Sequence, residues 1–303
     1  MTKLYLITGF LGAGKTTFLQ KFTGLFPDKK IALIMNEFGA AGVDGTLLQN
    51  LKVQLTEINN GSIFCACKLE QFEDAVHRIM EAGPELILVE ASGLSDPTAV
   101  RGIFRPGAFP DLEYAGGICL VDAVRFHKVY RTARVCRMQL AISDLVLINK
   151  TDLAGREQID GIAAIALAQK PARPVHETTF GGFDIRWLEE MGRPETDGAQ
   201  TEGHIKDINL QKMTLTVSGF DRKSLTAFLR MFAEDTYRIK GFVELDGKAC
   251  VADCVGPLVE IRPFAGKPSE PGKLVVLFGH GLPAKKSIRE AVSRFPGCEV
   301  VLS

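Results

Sequence analysis

The feature that most narrows the possible folds is an eight-residue run near the start of the chain. Gly9-Phe10-Leu11-Gly12-Ala13-Gly14-Lys15-Thr16 fits the pattern G-x-x-x-x-G-K-[ST]. It stands between an apolar run at residues 4–8, which reads as a buried strand, and residues 16–25, which read as a helix. Glycines let the backbone curl so that successive N–H groups converge on phosphate oxygens. The following helix adds its positive N-terminal end. The pattern predicts a phosphate-binding strand, loop and helix, with Gly12, Ala13, Gly14, Lys15, Thr16 and Thr17 as nucleotide-binding residues. Lys15 would bridge the β- and γ-phosphates, and Thr16 would offer its hydroxyl to Mg2+. A glycine-rich turn with an incidental lysine is the plain structural alternative.

Further apolar runs follow at residues 31–35, 53–58, 86–89, 117–121 and 145–148. Between two of them, Leu69, Phe72, Val76 and Ile79 share one helical face. Continuous apolar strands alternating with helices predict a mostly parallel sheet covered on both faces, an α/β P-loop NTPase domain over residues 1–191. In such sheets ligands bind at the carboxyl ends of the strands. Residues 192–204 hold no large apolar side chain and read as a linker, placed at 192–206. Beyond it, residues 207–303 read as a smaller α+β domain. Strands are expected at 208–217, 241–245, 249–255, 258–261 and 273–278, with a helix at 287–295 and another capped by Asp221.

Polar clusters fall at the predicted strand ends. Asn149-Lys150-Thr151-Asp152 matches N-K-x-D. Guanine offers N1–H and its exocyclic amine as adjacent donors, which the Asp152 carboxylate can accept together, whereas adenine has no such pair there. Asn149 can meet the opposite edge and the loop backbone, and the Lys150 stem can lie over the ring. This motif favours GTP over ATP. Glu90 ends the run 86–89 and precedes Ala91-Ser92-Gly93. Its carboxylate can hold Mg2+, directly or through water, or orient the attacking water, and Gly93 can bring a backbone N–H to the γ-phosphate. Lys15 and Glu90 are thus the candidate catalytic residues. Asn36-Glu37-Phe38-Gly39 and Asp44 form either a nucleotide-sensing loop or a solvated acidic one. Cys65 and Cys67 lie two apart beside Lys68. With Glu37 they are the candidate transition-metal ligands, although two thiolates do not complete a four-ligand site. Buried small hydrophobes and a redox pair are the alternatives.

Lys plus Arg total 36 and Asp plus Glu total 36 among 303 residues, so bulk charge attracts neither nucleic acid nor an anionic membrane. No apolar run is long enough for a spanning helix. Seven cysteines, thinly spread, fit a reducing cytoplasm better than a disulfide framework. Cys250 and Cys254 fall on one face of an expected strand and read as core.

Taken together, these residues resemble the CobW family of GTPases, relatives of the HypB and UreG nickel-insertion GTPases. The similarity lies in residues 7–17, Asn36-Glu37-Phe38-Gly39, residues 90–97, residues 139–152 and Tyr237-Arg238-Ile239-Lys240-Gly241-Phe242, the last resembling the family's C-terminal signature. The resemblance implies a slow GTPase using GTP and Mg2+ and coupled to delivery of Zn2+, Co2+ or a related ion. It also implies a client metalloprotein or cofactor-assembly protein as partner, and is compatible with a homo-oligomer. A GTP-binding regulatory or redox-sensing adaptor is the rival reading. The family's C-x-C-C motif is altered here. Ser62 and Phe64 replace its first two cysteines, Cys65 matches the last, and Cys67 is additional. Ala40 stands where a second acidic residue is usual, and no histidine-rich tract is present.

Overall fold

Residues 1–37, 53–59, 69–98, 103–104, 109–192, 210–264, 268, 270–279 and 281–302 are described by the computed structural model, with backbone alone at 36–37, 53–59, 69–71 and 210. Cys65, Cys67, the Phe38-Gly39 segment and most of the expected linker lie outside the described residues, as does the Glu37 side chain. The chain divides into two compact units, one of Met1–Tyr130 with Val135–His204, the other of Arg131–Arg134 with Ile205–Ser303.

The first unit is built on seven strands: β1 (Thr2–Thr8), β2 (Ile31–Glu37), β3 (Val53–Asn59), β4 (Leu86–Glu90), β5 (Leu112–Asp122), β6 (Leu145–Asn149) and β7 (Val175–Glu177). Their order in the sheet is β3-β2-β4-β1-β5-β6-β7, and every pairing is parallel. The helices are α1 (Lys15–Gly24), α2 (Leu69–Glu81), α3 (Phe126–Thr132), α4 (Arg134–Ala141), α5 (Arg156–Gln169) and α6 (Trp187–Glu190). Side chains alternate along each strand, so β1 feeds two cores. Leu4 and Leu6 join Phe72, Val76 and Ile79 of α2 on one face, whereas Tyr5 and Ile7 join Phe18, Leu19 and Phe22 of α1 on the other. All five residues of β4 and of β6 are buried. Burial on both faces explains why these strands read as unbroken apolar runs rather than alternating ones.

Three elements of this unit depart from the sequence expectation. β5 begins at Leu112, five residues before the apolar run, and its register against β1 shifts between Leu4 and Tyr5. Gly116, at φ +125°, takes up the irregularity, and the Asp144 carboxylate accepts the Gly117 N–H at 2.8 Å. β7 and α5 fall outside the strands and helices expected from the sequence. Only Val175 is strongly apolar in β7, and α5 buries just Ile159, Ile162 and Ala166.

The second unit holds a six-stranded antiparallel sheet of β8 (Leu210–Ser218), β9 (Arg238–Leu245), β10 (Lys248–Val255), β11 (Leu258–Pro263), β12 (Lys273–Gly279) and β13 (Glu299–Leu302), in the order β11-β10-β9-β12-β8-β13. Asp246 and Gly247, both at positive φ, make the two-residue turn that joins β9 to β10. Helices α7 (Arg222–Arg230) and α8 (Ala284–Ser293) bury Leu225, Phe228, Leu229 and Ile288 in this unit's core, with Cys250 and Cys254. Asp221 caps α7 as expected, in a reciprocal pair with Ser224. β13 was not foreseen, because Glu299–Leu302 is a short edge strand that is mostly exposed.

Candidate functional site

Because the strands of the first sheet are parallel, the loops after β1, β4, β5, β6 and β7 emerge at one edge. The loop after β1 runs through Gly9, Gly12 and Gly14 at φ +139°, +78° and +99°. A side chain on Gly9 would strike the Leu120 carbonyl, and one on Gly14 would strike the Asn149 amide. The loop therefore needs its glycines for both conformation and close approach. It delivers the chain into α1, whose first turn has no side-chain cap and no acidic residue. The leading N–H groups of a helix lack intrahelical partners and attract anions. A phosphate group fits that donor set. Lys15 is 8% exposed, and its Nζ donates to the Gly9 carbonyl at 3.0 Å, folded back across the loop it would serve.

Asn149 at the end of β6 ties this loop to its neighbours. Its Nδ2 donates to the Ala13 carbonyl at 2.8 Å, and its Oδ1 accepts the Gly181 N–H at 3.0 Å. The residue is 2% exposed. Its side chain thus makes the loop-backbone contact that was one of the two expected for it. Lys150 adopts φ +64°, and its Nζ pairs with Asp122 at 2.6 Å, so its stem is drawn toward the end of β5. Asp122 also accepts the N–H groups of Val124 at 2.9 Å and Arg125 at 3.2 Å. Asp152 is exposed in the short turn Thr151–Leu153, with its carboxylate available to an incoming donor pair.

Glu90 ends β4 beside Ile7 of β1 and Met35 of β2, and is 8% exposed. Gly93 follows so closely on the first loop that a side chain there would approach the Leu11 N to 2.8 Å. Gln139 of α4, fully buried, donates from Nε2 to the carbonyls of Gly93 and Ser95, each at 3.2 Å. Asp122, Gln139 and the loop 178–182 were not singled out as site residues in the sequence. Asp122 carried a visible signal, since it ends an apolar strand as Glu90 does. Among the described residues no group of three His, Cys, Asp or Glu could hold a metal ion. The described cysteines, Cys119, Cys136, Cys250, Cys254 and Cys298, are all free.

A family model for the CobW/HypB/UreG nucleotide-binding domain matches residues 3–177, more than half of the chain. The chain belongs to the CobW family. A second model, the cobalamin synthesis protein cobW C-terminal domain, matches residues 213–295. Among CobW-family relatives, the zinc chaperone YjiA of Escherichia coli is 33% identical over 193 residues, covering 60% of this chain and 59% of that one. The zinc chaperone CobW of Pseudomonas aeruginosa is 26% identical over 300 residues, covering 80% and 77%. The chain spans 59%, 47% and 50% of the length of the first three curated relatives it matches. The crystal structure of Zn(II)-bound YjiA GTPase from E. coli is similar over 97% of this chain and 98% of that one, at 22% identity and a TM-score of 0.47.

Proposed function

We propose that this CobW-family chain binds and hydrolyses GTP with Mg2+ and couples its nucleotide state to the binding and delivery of a metal ion, with zinc as the cargo. The observation that carries the nucleotide reading is the Asn149 bridge. One buried side chain holds both the glycine loop, through Ala13, and the loop after β7, through Gly181. The two loops that this reading assigns to phosphate and base are thereby tied to one side chain. The names of the relatives, zinc chaperones, support the cargo.

In this reading Gly12, Ala13, Gly14, Lys15, Thr16 and Thr17 hold the phosphates, and Lys15 stabilises charge on the bridging oxygen. Thr16 and Glu90 hold Mg2+, which supplies charge neutralisation at the phosphates, and Glu90 also orients the water. Gly93 offers its N–H to the terminal phosphate while Gln139 fixes the carbonyls on either side of the loop. Asp152 accepts the paired donors of guanine, with Asn149 and Lys150 shaping the pocket. Cys65, Cys67 and Glu37 take the metal, and the acceptor is a client metalloprotein or cofactor-assembly protein in the cytoplasm. Residues 192–206 join the GTPase domain at 1–191 to the C-terminal domain at 207–303. The cheapest test is competition between GTP and ATP for the reduced chain. GTP should win by at least about tenfold, given that a site built to pair with polar groups rejects a ligand lacking them. Equal affinities would remove the guanine reading.

A further inference from the structure

The loop after β7 carries a side chain that neither the fold nor the hydrogen-bond scheme explains. Residues 178–182 are pinned on both sides. The Thr178 N–H donates to Ile148 O at 2.8 Å, its hydroxyl donates to Gly182 O at 2.7 Å, and Thr178 O accepts from the Thr151 hydroxyl at 3.0 Å. Gly181 gives its N–H to Asn149. Between these anchors Phe180 stands at φ +52° and Gly181 at +64°. Glycine adopts that region freely, but a bulky residue rarely does, and such positions gather at binding sites.

The neighbouring rings behave differently. Phe18 and Phe22 are fully buried, and Phe183 packs on both with ring centroids 5.5 and 5.0 Å away. Phe180 is 68% exposed. The Lys21 Nζ lies 6.0 Å from its ring centroid. A largely exposed aromatic ring is thus held, at a disfavoured backbone angle, on a loop bonded to the two residues that flank Lys150.

We propose that the Phe180 ring forms one wall of the base pocket and packs against guanine. The inference rests on the guanine-nucleotide reading above and deepens it, adding a stacking surface to the polar edge recognition by Asp152. Aromatic surfaces take flat bases well because every base presents a π-face, whereas Asp152 supplies the choice among bases.

The test is calorimetric binding of GTP, GDP and inorganic triphosphate to the native chain, Phe180→Ala and Phe180→Trp. The exposed ring should be removable with no change in thermal midpoint. Phe180→Ala should bind GTP and GDP about tenfold more weakly, with triphosphate unchanged and Phe180→Trp near native. Native affinity of Phe180→Ala for GTP would overturn the proposal and leave the ring a scattered surface hydrophobe. An equal loss on triphosphate would also overturn it, by placing the effect on the phosphates. If the native chain fails to prefer GTP over ATP, the guanine reading falls separately. A loss by Phe180→Ala on both nucleotides would then still mark the ring as the base wall.

Discussion

Asn149 and Gly14 meet at the centre of the proposed nucleotide site, and each limits what the other can be. Gly14 sits at φ +99°, and a side chain on it would collide with the Asn149 amide that holds Ala13. Gly14→Ala should therefore abolish measurable nucleotide binding, because it strains the loop and breaks its brace together. Gly24→Ala is the matched control. Nothing lies within 4 Å of a side chain built there, so binding should stay native and stability should be unchanged or slightly higher. Binding of a fluorescent GTP analogue to both variants checks this, and a Gly14→Ala chain that binds normally would refute the geometry. The glycines and Lys15 were plain in the sequence because a phosphate loop permits few residue types. The particular backbone partners of Asn149, Ala13 and Gly181, were not, since they lie far from it in sequence and only the folded loops bring them to its amide.

Elements were legible where burial is one-sided or complete. The strands β1, β4 and β6 announced themselves as apolar runs because helices cover both faces of the sheet. β7 and β13 did not, being edge strands of three and four residues with few buried positions. The Phe180 loop was missed for that reason, since it hangs from β7. The cysteines follow the same logic of burial. On the sheet, Cys119 in β5 has its thiol pushed up to about 11 by desolvation, opposed by a hydrogen bond to Ser143. Cys136 of α4 is raised still further by burial, and the Cys254 thiol in β10 is pushed up to about 12. A raised value leaves the thiolate scarce at neutral pH, and the thiolate is the nucleophile. At pH 7.5 these three should stay unlabelled by a thiol reagent in the folded chain, while half-buried Cys298 reacts. They should become reactive only in denaturant. Mass mapping of labelled peptides would contradict this if Cys119, Cys136 or Cys254 reacted early in the native state.

Across the whole molecule, two cores of different architecture were foreseeable from the change in pattern near residue 192. The parallel α/β sheet and the antiparallel sheet with α7 and α8 are the observed counterparts. Charge balance narrowed the partners but named none, and the proposed metal ligands are Cys65, Cys67 and Glu37 rather than any group in the described core. In the proposed function, nucleotide state and metal binding are one linked equilibrium. The most direct measurement is a Zn2+ titration of the reduced chain with and without a non-hydrolysable GTP analogue, beside a Cys65→Ser/Cys67→Ser double variant. The analogue should shift zinc affinity, zinc should shift analogue affinity by the same factor, and the double variant should lose both shifts while still binding GTP. Identical zinc affinities with and without the analogue would contradict it.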